Sequence, residues 1–378
     1  MFKLSKDILQ DAQNLDALQM NLEQNPVIRK LETKFLGFGS CFAQNLQRLL
    51  EPFSFPFYFN RSICAFYSTP PLRQTLEWLV EDRIHTEEEL YFFDNTQSDI
   101  SSYRHFRLRN YGKDALSRTI AEINELDKEL RQEILESDMF IVTLGTALNG
   151  YMKKNGFAIC SFFGVPQDEA FYKIISSQEV SQDLNEIYKS ILKLRNNKPF
   201  ELFITISPQR YNWTSTVSGM PPLMENFLSK STLRVGINDF IKNKDLSSIH
   251  YFPSFEMVID ELRLYESLSI YDHLHINQEG TPKYVVKRFL QKYCSPAVLD
   301  SLPLYEDLKR VHDLSSARIK AGAEINSKHI KFAWECIFNR IKELSNTVCT
   351  DSFVAIAKEH LLKFEGGEQL LEKLLKNY

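Results

Sequence analysis

The sequence predicts an α/β protein: a parallel sheet with helices on both faces, followed by an all-helical extension. Three observations predict it. Near-continuous apolar runs recur at Lys34–Phe38, Asp138–Leu144 and Phe200–Ile206. Segments with helical periodicity alternate with them, and strand-like runs stop after about Pro303. A continuous apolar run is the mark of a strand covered on both faces, which is where parallel strands lie. Ligands of such sheets sit beyond the carboxyl ends of the strands, so the loops opening at Gly39, Gly145 and Ser207 are expected to converge on one crevice.

Taken in order, residues 5–24 read as a helix, and Lys34–Phe38 as a strand running into Gly39 and Ser40. Cys41–Leu50 has helical periodicity and stops before Pro52. Phe55–Phe59 is a second strand. Pro70–Val80 is a helix with proline in its first turn, where the missing N–H costs nothing. Ala115–Glu136 is a long amphipathic helix leading into the Asp138–Leu144 strand. Glu179–Leu194, Ser229–Lys242 and Thr281–Tyr293 are further helices, with strands at Phe200–Ile206 and His250–Phe252 between them. Beyond Pro303 the segments Tyr305–Lys320, Ser327–Leu344, Asp351–Phe364 and Glu368–Lys376 are all helical. The expected division is an N-terminal helical segment over 1–30, an α/β domain over 31–302 and a helical extension over 303–378. That extension can cap the sheet, lie over the crevice or bind a protein partner.

Composition narrows the function classes. The 378 residues are 43% hydrophobic and 25% charged, which excludes wholesale disorder. Forty-five Lys+Arg against 49 Asp+Glu leave a net charge of −4, without the basic excess of a nucleic-acid binder. Asp7, Asp11 and Asp16 interrupt every candidate signal-peptide core, and no run approaches a membrane span. The six cysteines form neither a CxxC pair nor a ladder, so no zinc site and no disulfide scaffold is expected. A cytoplasmic location is the expectation.

Gly37-Phe38-Gly39-Ser40 is a glycine turn between strand and helix. A dinucleotide fingerprint needs a third glycine where Phe42 stands, a Walker loop needs Gly-Lys-Ser/Thr, and a GxSxG elbow needs glycines at 38 and 42. What remains is a serine at a strand tip opening a helix, which fits both an N-cap and a nucleophile. A serine nucleophile needs a base, and the base needs an orienting acid. Asp272-His273-Leu274-His275 supplies such a pair in one loop. Asp272 is close enough in sequence to hold Nδ1 of His275 and leave Nε2 to take the serine proton. The same segment also fits a loop histidine with a local carboxylate, or a His273/His275 metal pair lacking further ligands.

Five blocks in order resemble the GSCFA-domain family: Gly39-Ser40-Cys41-Phe42-Ala43, Thr143-Leu144-Gly145-Thr146-Ala147, Ser207-Pro208-Gln209-Arg210, Ser229-Lys230 and Asp272-His273-Leu274-His275. That family is similar to the SGNH/GDSL hydrolases, which implies a three-layer, flavodoxin-like domain. The resemblance implies Ser40 as nucleophile, His275 as base and Asp272 as its orienter. The asparagine that SGNH enzymes use as an oxyanion donor is missing, so Gly145 or Thr146 is the candidate donor. His105 falls where family members carry another histidine, and Arg210 and Lys230 are candidates for holding an anionic group. Cys41, beside the serine, is expected to face the core. The implied activity is ester hydrolysis or O-acyl transfer on a carbohydrate or another ester-bearing small molecule, with acetyl-CoA as donor in the transfer case and no other cofactor or metal. The alternative is a catalytically inactive SGNH-like glycan-binding or assembly protein.

Overall fold

A computed structural model describes residues 20–376 except 40, 51–54, 96–99, 106–111, 114–115, 161–164, 166–167, 211–218, 245–246, 264–266, 270–274, 279 and 344–349. Its central feature is a five-stranded parallel sheet of β1 (Phe35–Gly39), β2 (Phe57–Tyr58), β6 (Met139–Leu144), β10 (Glu201–Ile206) and β11 (Ile249–Tyr251). The spatial order is β11-β10-β6-β1-β2. Counted along the chain, the five strands lie 2-1-3-4-5, the order of flavodoxin-like sheets. The chain reverses its direction of travel across the sheet between β1 and β6, where Gly39 pairs with Thr143.

The apolar runs explain this sheet. Every residue of β1 and β6, and all of β10 but Glu201, is buried. The intervening helices are α1 (Cys41–Leu50), α2 (Thr69–Val80), α3 (Leu116–Glu136), α4 (Ser177–Leu194) and α5 (Pro222–Lys242). Pro70 and Pro71 open α2, and a reciprocal Ser176–Glu179 capping box opens α4. Helices α4 and α5 cross closely at Gly236, where a Cβ would stand 2.6 Å from the Ser177 carbonyl oxygen and from Val180 Cβ. Leu36, Phe38, Phe140, Val142, Leu202 and Ile204 join Leu76, Ile187 and Ile237 of the helices in one core.

Two small antiparallel sheets were not anticipated from the sequence. One is β3 (Leu90–Asn95), β4 (Ile100–His105) and β5 (Gly112–Lys113); the other is β7 (Leu148–Met152), β8 (Ala158–Ile159) and β9 (Ala170–Ile174). Their strands are short or carry polar residues, so no apolar run announces them. Helix α5 also starts two turns before the expected Ser229, with Pro222 at its first position. Of the helix expected over 5–24, residues 1–19 lie outside the described residues, and 20–27 are not helical.

The chain divides into two compact units. The first contains the three sheets and ends at Val285; the second comprises Asn21–Thr33, Arg48–Pro56 and Val286–Tyr378. Helix α6 (Thr281–Tyr293) spans the division, and α7 (Pro296–Lys320) runs through Pro303 unbroken, so the change of texture read at that residue is not an end of structure. The second unit continues with α8 (Lys328–Glu343), α9 (Thr350–Leu362) and α10 (Gly367–Lys376). Ile330, Trp334, Ile337, Phe338 and Ile341 share one buried face of α8, and Trp334 donates its indole N–H to Ser315 Oγ at 3.1 Å. Among the described residues no helix is long and apolar enough to cross a membrane.

Candidate functional site

At the end of β1, Gly39 adopts φ +132°, and a Cβ there would stand 2.2 Å from the Thr143 carbonyl oxygen. Only glycine fits that approach. Cys41 then begins α1, so strand end and helix start are separated by one residue of sequence beside the reversal point of the sheet. Helix starts present unpaired backbone N–H groups. Ser40 and Asp272 themselves lie outside the described residues, as does the side chain of Cys41. His275 is described: it is exposed, and its carbonyl accepts the Ser269 N–H at 2.7 Å, beside the antiparallel bridge between Leu268 and Ile276.

The loops after β6 and β10 are joined by the Ser229-Lys230 pair of α5. Lys230 is buried, and its Nζ donates to the carbonyls of Gly145 (2.6 Å) and Ser207 (2.7 Å). Ser229 Oγ accepts the Ala147 N–H at 2.6 Å and lies 3.1 Å from Thr146 Oγ1, which itself accepts the Leu148 N–H at 2.9 Å. Burial pushes the Lys230 ammonium down to about 7. A neutral amine has two N–H donors, and among the described residues the two carbonyls are its two acceptors. Three of the blocks read from the sequence thus meet in one hydrogen-bonded network.

That network changes two expectations. Lys230 ties two loops together and does not present a surface charge to an anion. The backbone N–H groups of Gly145 and Thr146, expected as oxyanion donors, both donate to the Tyr67 carbonyl, at 2.7 and 2.9 Å. The Thr146 hydroxyl is engaged with Ser229 and Leu148. Arg210 is half-buried, four residues beyond the end of β10, and Ser207 Oγ accepts the Gln209 N–H at 3.4 Å.

His105 belongs to a separate cluster of buried side chains. It is fully buried, at the end of β4, and pairs in register with Leu90. Its Nε2 lies 3.0 Å from Glu89 Oε2, and the same oxygen meets His85 Nδ1. His85 Nε2 is 2.9 Å from Asp127 Oδ2 on α3. Arg83 grips Glu89 Oε1 through Nε (3.1 Å) and Nη2 (2.6 Å) and lies over the ring of Trp78. Burial alone would raise the Glu89 carboxyl, but hydrogen bonds from His105, His85 and Arg83 outweigh it and hold the group well below the usual carboxylate range. Sequence reasoning missed His85, Glu89 and Asp127; the one available signal was the i,i+4 spacing of His85 and Glu89.

The GSCFA family model matches residues 34–289, a span that runs from the start of β1 into α6. The chain belongs to the GSCFA family. The match contains Ser40, both loops held by Lys230, and His275. Comparison with curated proteins found no match, and comparison with solved structures found none either.

Proposed function

We propose that this GSCFA protein carries out serine-dependent acyl-ester chemistry, with Ser40 as nucleophile, His275 as general base and Asp272 as the group that orients it. The observation that carries the reading is that β1 ends at Gly39 and α1 begins at Cys41, on either side of Ser40 in the sequence. That buried strand borders the reversal point of a 2-1-3-4-5 sheet, where open α/β sheets take their ligands. The same strand order supports kinship with the SGNH hydrolases. In this mechanism Ser40 Oγ attacks an ester carbonyl, its proton passes to His275 Nε2, and the alcohol leaves with that proton. Water or a sugar hydroxyl then takes the acyl group from Ser40, which gives hydrolysis or O-acyl transfer. Because the Gly145 and Thr146 N–H groups are engaged with Tyr67, the oxyanion falls to backbone N–H groups at the start of α1, which a helix leaves outside its own hydrogen-bond ladder. Arg210 is the remaining cationic candidate for an anionic group on a carbohydrate or on acetyl-CoA.

The engagement of those two N–H groups also favours a second reading, an inactive SGNH-like module that binds a glycan or an assembly partner. Fluorophosphonate labelling separates the two. Catalysis predicts an adduct on Ser40 that is lost in Ser40→Ala, turnover of an activated acetyl ester reduced on the order of 10⁶-fold in that variant, and a reduction of about 10⁴-fold in Asp272→Asn. Mass spectrometry after incubation with acetyl-CoA tests the transfer branch. Absence of both labelling and turnover in the folded wild-type protein would hand the case to the binding module.

A further inference from the structure

His85, Glu89 and His105 come from three places, a loop, the 3₁₀ turn Glu87–Glu89 and the end of β4, yet their donor atoms all lie within 4.8 Å of one another. Two imidazole nitrogens and one carboxylate oxygen are the donor set of many zinc and iron(II) sites. Donors of a first-row ion stand about 2.0–2.2 Å from it, and so about 3–3.5 Å from each other; the 3.0 Å between His105 Nε2 and Glu89 Oε2 is already close to that. The two rings lie 4.9 Å apart at 79°, so they approach the carboxylate from different directions and do not stack.

The surrounding groups are those that orient metal ligands. Asp127 takes the far nitrogen of His85, the carboxylate–histidine arrangement that fixes the tautomer and ring position of a ligand. Arg83 takes the far oxygen of Glu89 and leaves Oε2 as the inward atom. The His85 main-chain N–H is held by Asn124 Oδ1 at 3.0 Å, and Trp78 meets the His85 ring edge-on at 5.6 Å. The side chains of His85 and His105 are wholly shielded from solvent, and that of Glu89 is 2% exposed.

We propose that His85 Nδ1, Glu89 Oε2 and His105 Nε2 bind one divalent first-row transition ion, with zinc the best match and a solvent oxygen in the remaining position, in a buried site that ties β3 and β4 to α3 through Asp127. Binding needs both facing nitrogens in their neutral, unprotonated form, so any proton they carry toward Glu89 leaves to solvent as the ion enters. Nothing in the acyl-ester reading requires this ion.

The test is metal content. Full-length protein is stripped with chelator, dialysed against zinc or cobalt(II), and analysed by mass spectrometry of the metal and by thermal unfolding. The expected result is about one equivalent per chain and a melting temperature raised by the metal. Both should be lost in His85→Asn and in His105→Gln, and the affinity should fall about 10–100-fold in Asp127→Asn. Should the histidine variants fail to fold, X-ray absorption of zinc-loaded wild type decides the matter. Two nitrogen ligands at about 2.0–2.1 Å with oxygen in the remaining shell support the site, and a sulfur or all-oxygen shell overturns it. Wild-type protein that takes up no metal, or uptake unchanged in folded histidine variants, also overturns it and leaves the cluster a hydrogen-bonded core network.

Discussion

Lys230 and Glu89 are both charged side chains taken out of water, and the protein treats them in opposite ways. Among the described residues Lys230 meets main-chain carbonyls, and burial pushes its ammonium down to about 7. Glu89 meets two imidazoles and a guanidinium, and it is held charged. The first cluster is built from the backbone of the strand ends and the second from side chains. The difference teaches that burial alone does not set a protonation state: dipoles that an uncharged amine satisfies equally well do not offset desolvation, whereas donors that need the charge do.

The largest expected effect lies in the side-chain cluster. Glu89→Gln, measured in metal-free buffer by urea unfolding, should cost about 3–5 kcal/mol, because the amide has lost the charge and one acceptor oxygen and sets an NH2 donor against the shielded His85 and His105 rings or the Arg83 guanidinium. A loss below about 1 kcal/mol would mean that the cluster relaxes as a surface pair does, and the contrast with Lys230 would disappear.

Next comes the backbone-built end of the sheet. Gly39→Ala should cost about 2–4 kcal/mol, since it combines a left-handed φ with a Cβ placed on the Thr143 carbonyl. Labelling at Ser40 should fall with it, because the end of β1 must shift. Retained stability and retained labelling would show that the β1–β6 approach is looser than the carbonyl contact implies.

The most specific effect is spread over pH and small at each step. The unfolded lysine titrates near its ordinary 10.5 and the folded one near 7, so between these values the unfolded chain holds more protons. Stability therefore rises with pH across that window: the penalty of the buried ammonium is complete below about pH 7 and vanishes toward 10.5. Urea unfolding of wild type and Lys230→Met should show wild type gaining on the variant by up to about 1.4 kcal/mol per pH unit. A difference that stays flat with pH would mean that Lys230 remains charged and has found a counter-ion.

The backbone-built region was largely legible in the sequence. Its strands are continuous apolar runs, and Gly39, Gly145, Ser207 and Ser229-Lys230 stood out as blocks. What those residues do was not legible. Nothing in the chain announces that Tyr67 would take the N–H groups of Gly145 and Thr146, or that Lys230 would point inward to bridge two carbonyls. The side-chain cluster was hidden almost entirely. Glu89 and His105 become neighbours because the β3–β4 hairpin pairs Leu90 with His105, and that register lies in strands whose polar residues gave no periodic signal.

The sequence by itself determined the α/β class, the parallel core and the helical C-terminal region, because burial on both faces of a strand, or on one face of a helix, must be written in the residues along that element. Only the tertiary structure decided the partners of the polar groups. Hydrogen bonds such as Gly145 to Lys230, or His85 to Asp127, join residues far apart in the chain, and they depend on which elements the fold places side by side.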